Sequence, residues 1–329
     1  MDTTAPAVPT APAALTGSIT RRGWIAWGIG FALLAAAPFI GLYPVFMMKA
    51  LCYAIFACAF NLLLGYTGLL SFGHAAYLGA AAYATGWLVR SANLSPELGV
   101  LAGTAVAALC GLVIGAIAIR RQGIYFAMVT LAMAQMLYFV FLQAPFTGGE
   151  DGLQGVPRGN LFGLISLAND TVMYYAVLAV FVAVFLFIIR VVHSPYGQVL
   201  KAIRENEPRA VSLGYDVDRY KLLAFVLSTG IAGLAGSLKT LVLGFASLTD
   251  AHWSLSGEVV LMTLLGGMGT FAGPVIGAFT IIGLQDFLAD QVGSWINVII
   301  GVIFVVCVVA FRRGFVGELL AWQQRRKGE

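Results

Sequence analysis

Apolar runs close to 20 residues long succeed one another along most of the chain, separated by short clusters of Gly, Pro and charge. A helix needs about 20 such residues to cross roughly 30 Å of hydrocarbon at about 1.5 Å per residue. The runs are continuous, whereas the strands of a membrane barrel would alternate apolar and polar positions. Reading runs against breakers predicts ten membrane segments. They are Trp24–Tyr43, Val45–Tyr66, His74–Val89, Leu98–Ile119, Ile124–Gln143, Thr171–Val192, Lys221–Phe245, Glu258–Met268, Ala272–Leu288 and Trp295–Phe311. The expected fold is an all-α polytopic membrane protein containing one broken, re-entrant pair of segments.

Two features interrupt this pattern. The first is a polar stretch, His193–Lys221, with nine charged residues between two long apolar segments. A charge in hydrocarbon costs about 2.5–3.5 kcal/mol even on the mildest scale, so the stretch must lie in water. Pro195–Gly197 closes the preceding segment, and Val199–Ile203 reads as a short amphipathic helix. Pro208 disfavours helical geometry at Glu207 and suits the first turn of a second helix, while Gly214 supplies a C-terminal cap. Two short helices bent at Glu207–Pro208 should therefore carry Lys201, Arg204, Glu205, Glu207 and Arg209 at their junction. Mixed charge suits a groove on a protein partner better than a lipid surface, and an ordinary solvated loop is the plainer alternative.

The second feature is a pair of Gly-rich breaks, GYTGLLSFGH (Gly65–His74) and GGMGTFAGP (Gly266–Pro274). Cytoplasmic loops collect Lys and Arg. With the N-terminus inside, 15 basic residues fall on the cytoplasmic side and 4 (Lys49, Arg90, Arg158, Lys239) fall outside or near the outer interface. This count also requires the stretch Glu258–Leu288 to enter and return, because one crossing would place Arg312 and Arg313 outside. Glu258–Met268 is too short to span, so its reversal should lie at membrane depth, against protein or a water-filled path. Two broken segments in opposite halves point to a translocation site. Close packing through small residues, as in Gly79–Gly86 and Gly230–Gly236, explains such glycines equally well.

Composition narrows the class further. Charged residues make up 10% of the chain, against about 25% in a soluble domain, and mean hydropathy is +0.90. The net charge of +4 follows from topology and is no nucleic-acid signal. The four cysteines lie in apolar runs without CxxC spacing and read as small packing residues. Residues 1–20 are rich in Ala, Pro and Thr and lack the basic start of a signal peptide, so a disordered cytoplasmic tail is expected. Residues 21–315 form the expected transmembrane domain, with 193–220 as a cytoplasmic loop and 316–329 as a cytoplasmic tail. HExxH, GxSxG and GxxxxGK[ST] patterns are all absent, and the three histidines are far apart. That leaves no catalytic residue, no metal site and no nucleotide site of the chain's own. Glu258, Asp286 and Asp290 lie near segment ends, so no carboxylate sits deep in an apolar segment as an ion-coupled carrier would need. The driving force should come from another chain.

The stretches LKAIRENEPRAVSLGYDVDRYKLLAFVLSTGIAGLAGSL (Leu200–Leu238), GYTGLLSFGHAAYLGAAAY and LMTLLGGMGTFAGPVIGA closely resemble the branched-chain amino-acid ABC transporter permease family (the LivM-like permease subunit). TGGEDGLQGVPRGNLFG (Thr147–Gly163) is similar to that family's outer loop. The resemblance runs from about Val45 to Phe311. It implies a fold of the vitamin-B12-importer type, placed in a bacterial inner membrane with both termini cytoplasmic. It also implies a second homologous permease subunit, two cytoplasmic ATPase subunits that use ATP and Mg, and a periplasmic solute-binding protein. On this sequence the ATPase-coupling segment would be Arg204–Gly214, with Arg204, Glu205, Glu207, Pro208, Arg209 and Gly214 as its contacts. Lys239 departs from the family pattern; it reads as a lysine snorkelling to the outer interface, or else as touching substrate or binding protein.

A zwitterionic amino acid needs donors for its carboxylate and acceptors for its ammonium, and helix starts at the two breaks expose free N–H groups. Asn61, Thr67, Ser71, Thr130, Gln135 and Thr263 are the polar side chains nearest such a path, with Gly266 and Gly267 at the second break. Each has a plainer role in bonding its own or a neighbouring helix. His74 should order the turn before its helix, with direct ligation as the alternative. The expected function is import of branched-chain or related amino acids. The alternatives are the same machine carrying urea, short amides or aromatic acids, or a self-contained channel or carrier for a small neutral solute. An intramembrane enzyme is disfavoured for want of paired catalytic groups.

Overall fold

The computed structural model of the protein describes residues 21–41, 43–161, 163, 165–293, 298, 299, 301, 302, 305 and 314–318. Its helices are α1 (Arg21–Ala36), α2 (Pro44–Thr67), α3 (His74–Ser91), α4 (Pro96–Ala118), α5 (Ile124–Gln143), α6 (Asp170–His193), α7 (Pro195–Glu205), α8 (Glu207–Ser212), α9 (Val217–Leu243), α10 (Trp253–Gly266) and α11 (Gly273–Val292). Five of them, α2, α4, α5, α6 and α9, are long and apolar enough to cross a membrane. Helices lie on nine of the ten expected segments. The tenth, Trp295–Phe311, falls largely outside the described residues, as do both expected tails.

Helix α2 is apolar on every side, which marks a helix enclosed by others. Nearly every residue from Met47 to Thr67 is buried, and α6, α9, α10 and α11 surround it. α9 in turn packs on α2, α3 and α4. Small residues set these distances, as expected where packing and not water drives helix association. A Cβ on Gly236 would lie 2.1 Å from the Leu78 carbonyl oxygen, and one on Gly111 would lie 1.9 Å from Thr229 Oγ1. Where α3, α4 and α9 meet, Thr85 donates to the Gly99 carbonyl at 3.0 Å, and its Oγ1 lies 2.8 Å from Ser237 Oγ. The outer faces of α4 and α5 remain exposed and apolar, at Leu101, Leu109, Val113, Met128 and Phe139 among others.

The expected reversal is present as an antiparallel pair, α10 and α11. Gly266 faces Gly273, Gly277 faces the Met262 carbonyl, and Gln285 donates to Glu258 at 3.2 Å. The second helix of the pair thus returns along the first. Helix α10 begins at Trp253, five residues before the expected start, because the His252 ring accepts from the Ser254 N–H and caps it there.

At the end of the bundle opposite α7–α8, the stretch between α5 and α6 carries three two-residue strands: β1 (Leu153–Gln154), β2 (Asn160–Leu161) and β3 (Ile165–Ser166). β1 pairs antiparallel with β4 (Phe245–Ala246), just after α9, and β2 pairs with β3. Arg158 closes the loop by donating to Asp170 at 2.5 Å and to the Val242 carbonyl at 3.0 Å.

Candidate functional site

The polar stretch folds into a compact two-helix knob. Ser194 caps α7 by accepting from the Gly197 N–H at 3.3 Å, and Pro195 occupies the first turn, so Pro195 starts a helix there. The bend falls at Asn206, one residue before the expected Glu207–Pro208. Asn206 is extended (φ −157, ψ 94), and its side chain accepts from the Arg209 N–H at 3.0 Å. That cap lets Glu207 take the first helical position despite the proline after it. α8 ends as expected at Gly214, in the left-handed region (φ +86), where the N–H groups of Gly214 and Tyr215 return to the carbonyls of Val211 and Ala210. Ile203, Ala210 and Val217 form the knob's own small core, with Val199 and Tyr220 against it. Tyr196 stacks on Tyr220 with centroids 5.7 Å apart and donates to the Tyr220 carbonyl at 3.0 Å. Burial, followed by the neighbouring Tyr220, pushes the Tyr196 phenol up.

The six residues expected to contact an ATPase divide between two faces. Glu205, Pro208, Arg209 and Gly214 are exposed. Arg204 is exposed as well, yet it and the half-buried Glu207 both bond inward. The Arg204 guanidinium donates to the Gly65 carbonyl, while Glu207 pairs with the buried Lys221 at 2.6 Å and accepts from Gln122 at 3.0 Å. The exposed face also presents Val211, Leu213 and Tyr215, at 57%, 69% and 41% exposure. Sequence reasoning passed over these three in favour of charge. Their signal was an apolar triplet inside the most polar stretch of the chain.

The two Gly-rich breaks meet directly above the knob. α2 ends at Gly68 (φ +75), and α10 gives way to Gly267 and Gly269, both with positive φ. A Cβ on Gly65 would lie 2.8 Å from the Gly269 nitrogen, so two backbones touch where only glycine fits. Asn61 bridges the breaks by donating to the Thr270 carbonyl and accepting from the Gly269 N–H, each at 2.9 Å. Of the expected path residues, Asn61, Gly266 and Gly267 belong to this junction.

The hydrogen bonds of the others do not bridge the two breaks. Thr67, Thr130 and Thr263 donate to carbonyls of their own helices. Ser71 accepts from the Gly73 N–H at 3.4 Å, and Gln135 is half-buried on α5. His74 is fully buried among Phe56, Phe60, Tyr77 and Phe225. Its Nε2 lies 2.8 Å from Ser228 Oγ, whose own hydrogen goes to the Ala59 carbonyl. His74 Nε2 is therefore the donor, and it joins α3 to α9 and α2. Ser228 was not foreseen, because nothing local pairs residues 154 positions apart.

Lys239 does not snorkel. Its side chain is buried in the last turns of α9, pairs with the Asp250 carboxylate and lies 5.3 Å from the Tyr53 ring centroid. Asp250 is 4% exposed, so its carboxylate is buried inside the protein, although not within an apolar membrane segment. It occupies a short turn just after α9, where sequence periodicity shows no membrane segment. Among the described residues, no group of three or more His, Cys, Asp or Glu side chains converges to hold a metal.

Long apolar helices enclosing two touching helix breaks, with a folded polar knob seated beneath them, define a multi-pass membrane permease. The chain belongs to the family described as the branched-chain amino acid transport system / permease component, whose sequence profile matches residues 44–308. It is 28% identical over 261 residues to the high-affinity branched-chain amino acid transport system permease protein LivM of Escherichia coli, covering 72% of this chain and 61% of that protein. It is 26% identical over 262 residues to a probable LivM of Methanocaldococcus jannaschii, covering 68% and 75% respectively. The fructose import permease FrcC of Rhizobium meliloti matches at 25% over 225 residues, covering 65% and 62%. The chain thus spans less than two thirds of the Escherichia coli LivM's length. No solved structure matches it. These relatives are transport permeases and not enzymes.

Proposed function

We propose that this chain is the membrane-spanning subunit of an ATP-binding-cassette importer that passes branched-chain or related amino acids from a periplasmic binding protein to the cytoplasm. In this reading it lies in a bacterial inner membrane with both termini cytoplasmic, as the distribution of Lys and Arg favours. It works beside a second, related permease and two ATPase subunits that bind ATP and Mg. The second permease is supported by similarity to a probable LivH as well as to LivM proteins.

The observation that carries the reading is the folded, two-faced knob. Its outer face, Val211, Leu213 and Tyr215 flanked by Glu205 and Arg209, has the apolar centre and charged rim of a protein interface. Asp at Leu213 would place a charge at that centre. The Leu213→Asp variant should insert and purify normally, yet lose about tenfold or more of ATP-dependent uptake through failed ATPase recruitment. Wild-type uptake in this variant would sink the reading, as would solute movement by the purified chain without any ATPase.

Similarity to a fructose permease favours a second reading of the cargo, in which the same machine carries a sugar. Urea, short amides and aromatic acids are further candidates for such a machine. Calorimetric titration of the partner binding protein with amino acids, fructose, urea and amides decides among them.

A further inference from the structure

We infer that Arg204 is the positioning residue that carries movement of the knob to the junction of the two helix breaks, and that it is not itself gripped by an ATPase. The inference rests on the importer reading above. Arg204 lies in the last turn of α7, two residues before the bend at Asn206. Its guanidinium donates to the Gly65 carbonyl. The carbonyls of a helix's last turn have no intrahelical partner. At the end of α2, the Gly68 and Leu69 N–H groups return to Leu64 and Leu63, and the Gly65 carbonyl is satisfied by Arg204. A cation at this end also meets the negative pole of the helix.

The same side chain reaches the other break. A Cβ on Gly269 would lie 3.4 Å from Arg204 Nη1, and a Cβ on Gly68 would lie 3.2 Å from Arg204 Cγ. One guanidinium therefore spans both breaks while its stem lies along Gly68. Asn61 holds the junction from the α2 side and Arg204 from the knob side. The far half of the knob is fixed elsewhere, through Glu207 to Lys221 on α9 and to Gln122 between α4 and α5. α7 also packs on α2, α6 and α9, and His193 stacks on Phe271, but among these side-chain hydrogen bonds and ion pairs Arg204 is the one that leads from the knob to the breaks. Lysine should replace it only poorly, since an ammonium is a compact point charge without the planar donor set of a guanidinium.

The test uses the complete transporter in proteoliposomes, with its partner permease, ATPases and binding protein. Uptake and ATP hydrolysis are measured together for the wild type, Arg204→Ala, Arg204→Lys and the exposed neighbour Glu205→Ala. ATP-dependent uptake by the wild type tests the importer reading separately, and its absence refutes that reading whatever Arg204 does. Given a working wild type, Arg204→Ala should retain its ATPases and hydrolysis while solute moved per ATP falls about tenfold. Arg204→Lys should fall between these, whereas Glu205→Ala, on the proposed ATPase face, should change uptake and hydrolysis together and so keep the wild-type ratio.

Joint loss of ATPase binding and hydrolysis in Arg204→Ala would make Arg204 a docking residue and overturn the inference. An unchanged ratio would overturn it too. Should Arg204→Ala fail to accumulate, hydrogen exchange on Arg204→Lys decides. Nucleotide should then alter protection across 195–215 but no longer across 65–73 and 266–273, and an undiminished response there refutes the coupling.

Discussion

Replacing Lys239 by Met should be among the most damaging single changes in the membrane domain, although the new side chain is apolar and similar in length. The Lys239 and Asp250 side chains are 9% and 5% exposed. Met would leave the Asp250 carboxylate buried, with only the Ser247 N–H at 3.5 Å still directed at it. Removing one partner of a buried ion pair costs about 3–5 kcal/mol. At roughly 2–4 °C per kcal/mol, the melting temperature should fall by on the order of 10 °C. Heating the purified chain in detergent and following the monodisperse fraction by size-exclusion chromatography measures this directly. The double variant Lys239→Met, Asp250→Leu should recover to within about 1 kcal/mol of wild type, because an apolar pair of similar volume avoids desolvating charge. A Lys239→Met melt indistinguishable from wild type would refute the buried pair and restore a snorkelling lysine. A double variant as unstable as the single one would show that shape, not charge, holds this corner.

Further outcomes follow from the glycines and from Asn61. Asn61→Leu leaves the Gly269 N–H and the Thr270 carbonyl unpaired at about 1–3 kcal/mol each, so hydrogen exchange at residues 266–273 should quicken while the rest of α10 and α11 stays protected. Gly236→Ala should prevent accumulation of folded protein, since its Cβ would press on the Leu78 backbone. Gly230→Ala, with only Ala108 Cβ at 3.6 Å, should be neutral or raise the melting point slightly. Gly214→Ala forces a left-handed conformation costing about 1–2 kcal/mol, so limited proteolysis between residues 206 and 216 should speed up, with Gly214→Asn milder.

Much of the helical frame was legible because hydrocarbon imposes a simple code: long apolar runs, basic inner ends and glycine at breaks. The α10–α11 reversal was legible from the Gly266–Pro274 break and the shortness of Glu258–Met268, together with the placement of Lys and Arg. The junction of the two breaks was only half legible. Asn61 was picked as a polar residue near a path, but its partners lie more than 200 positions away and leave no local trace. The bend at Asn206 was missed by one residue, because the proline rule was weighed without the side-chain cap that competes with it. Lys239 was misread for a related reason: Asp250 is brought back to it by Gly244 and a short turn, and a turn residue carries no sign of burial. The inward and outward faces of the knob were illegible as well, since a short polar helix shows which residues are charged and not which way they point.

The enclosure of α2 also bears on how the chain is made. α9, which covers much of α2, begins about 150 residues after α2 ends. At about 5–20 residues per second, roughly 10–30 s pass before that partner exists. Through this interval Asn61 would face lipid with both ends of its amide unpaired. A helix destined for the centre is thus made early and finished late. Its biogenesis calls for an insertase or chaperone that shelters it until α9 arrives, and depleting such a factor should trap nascent chains that end between α2 and α9.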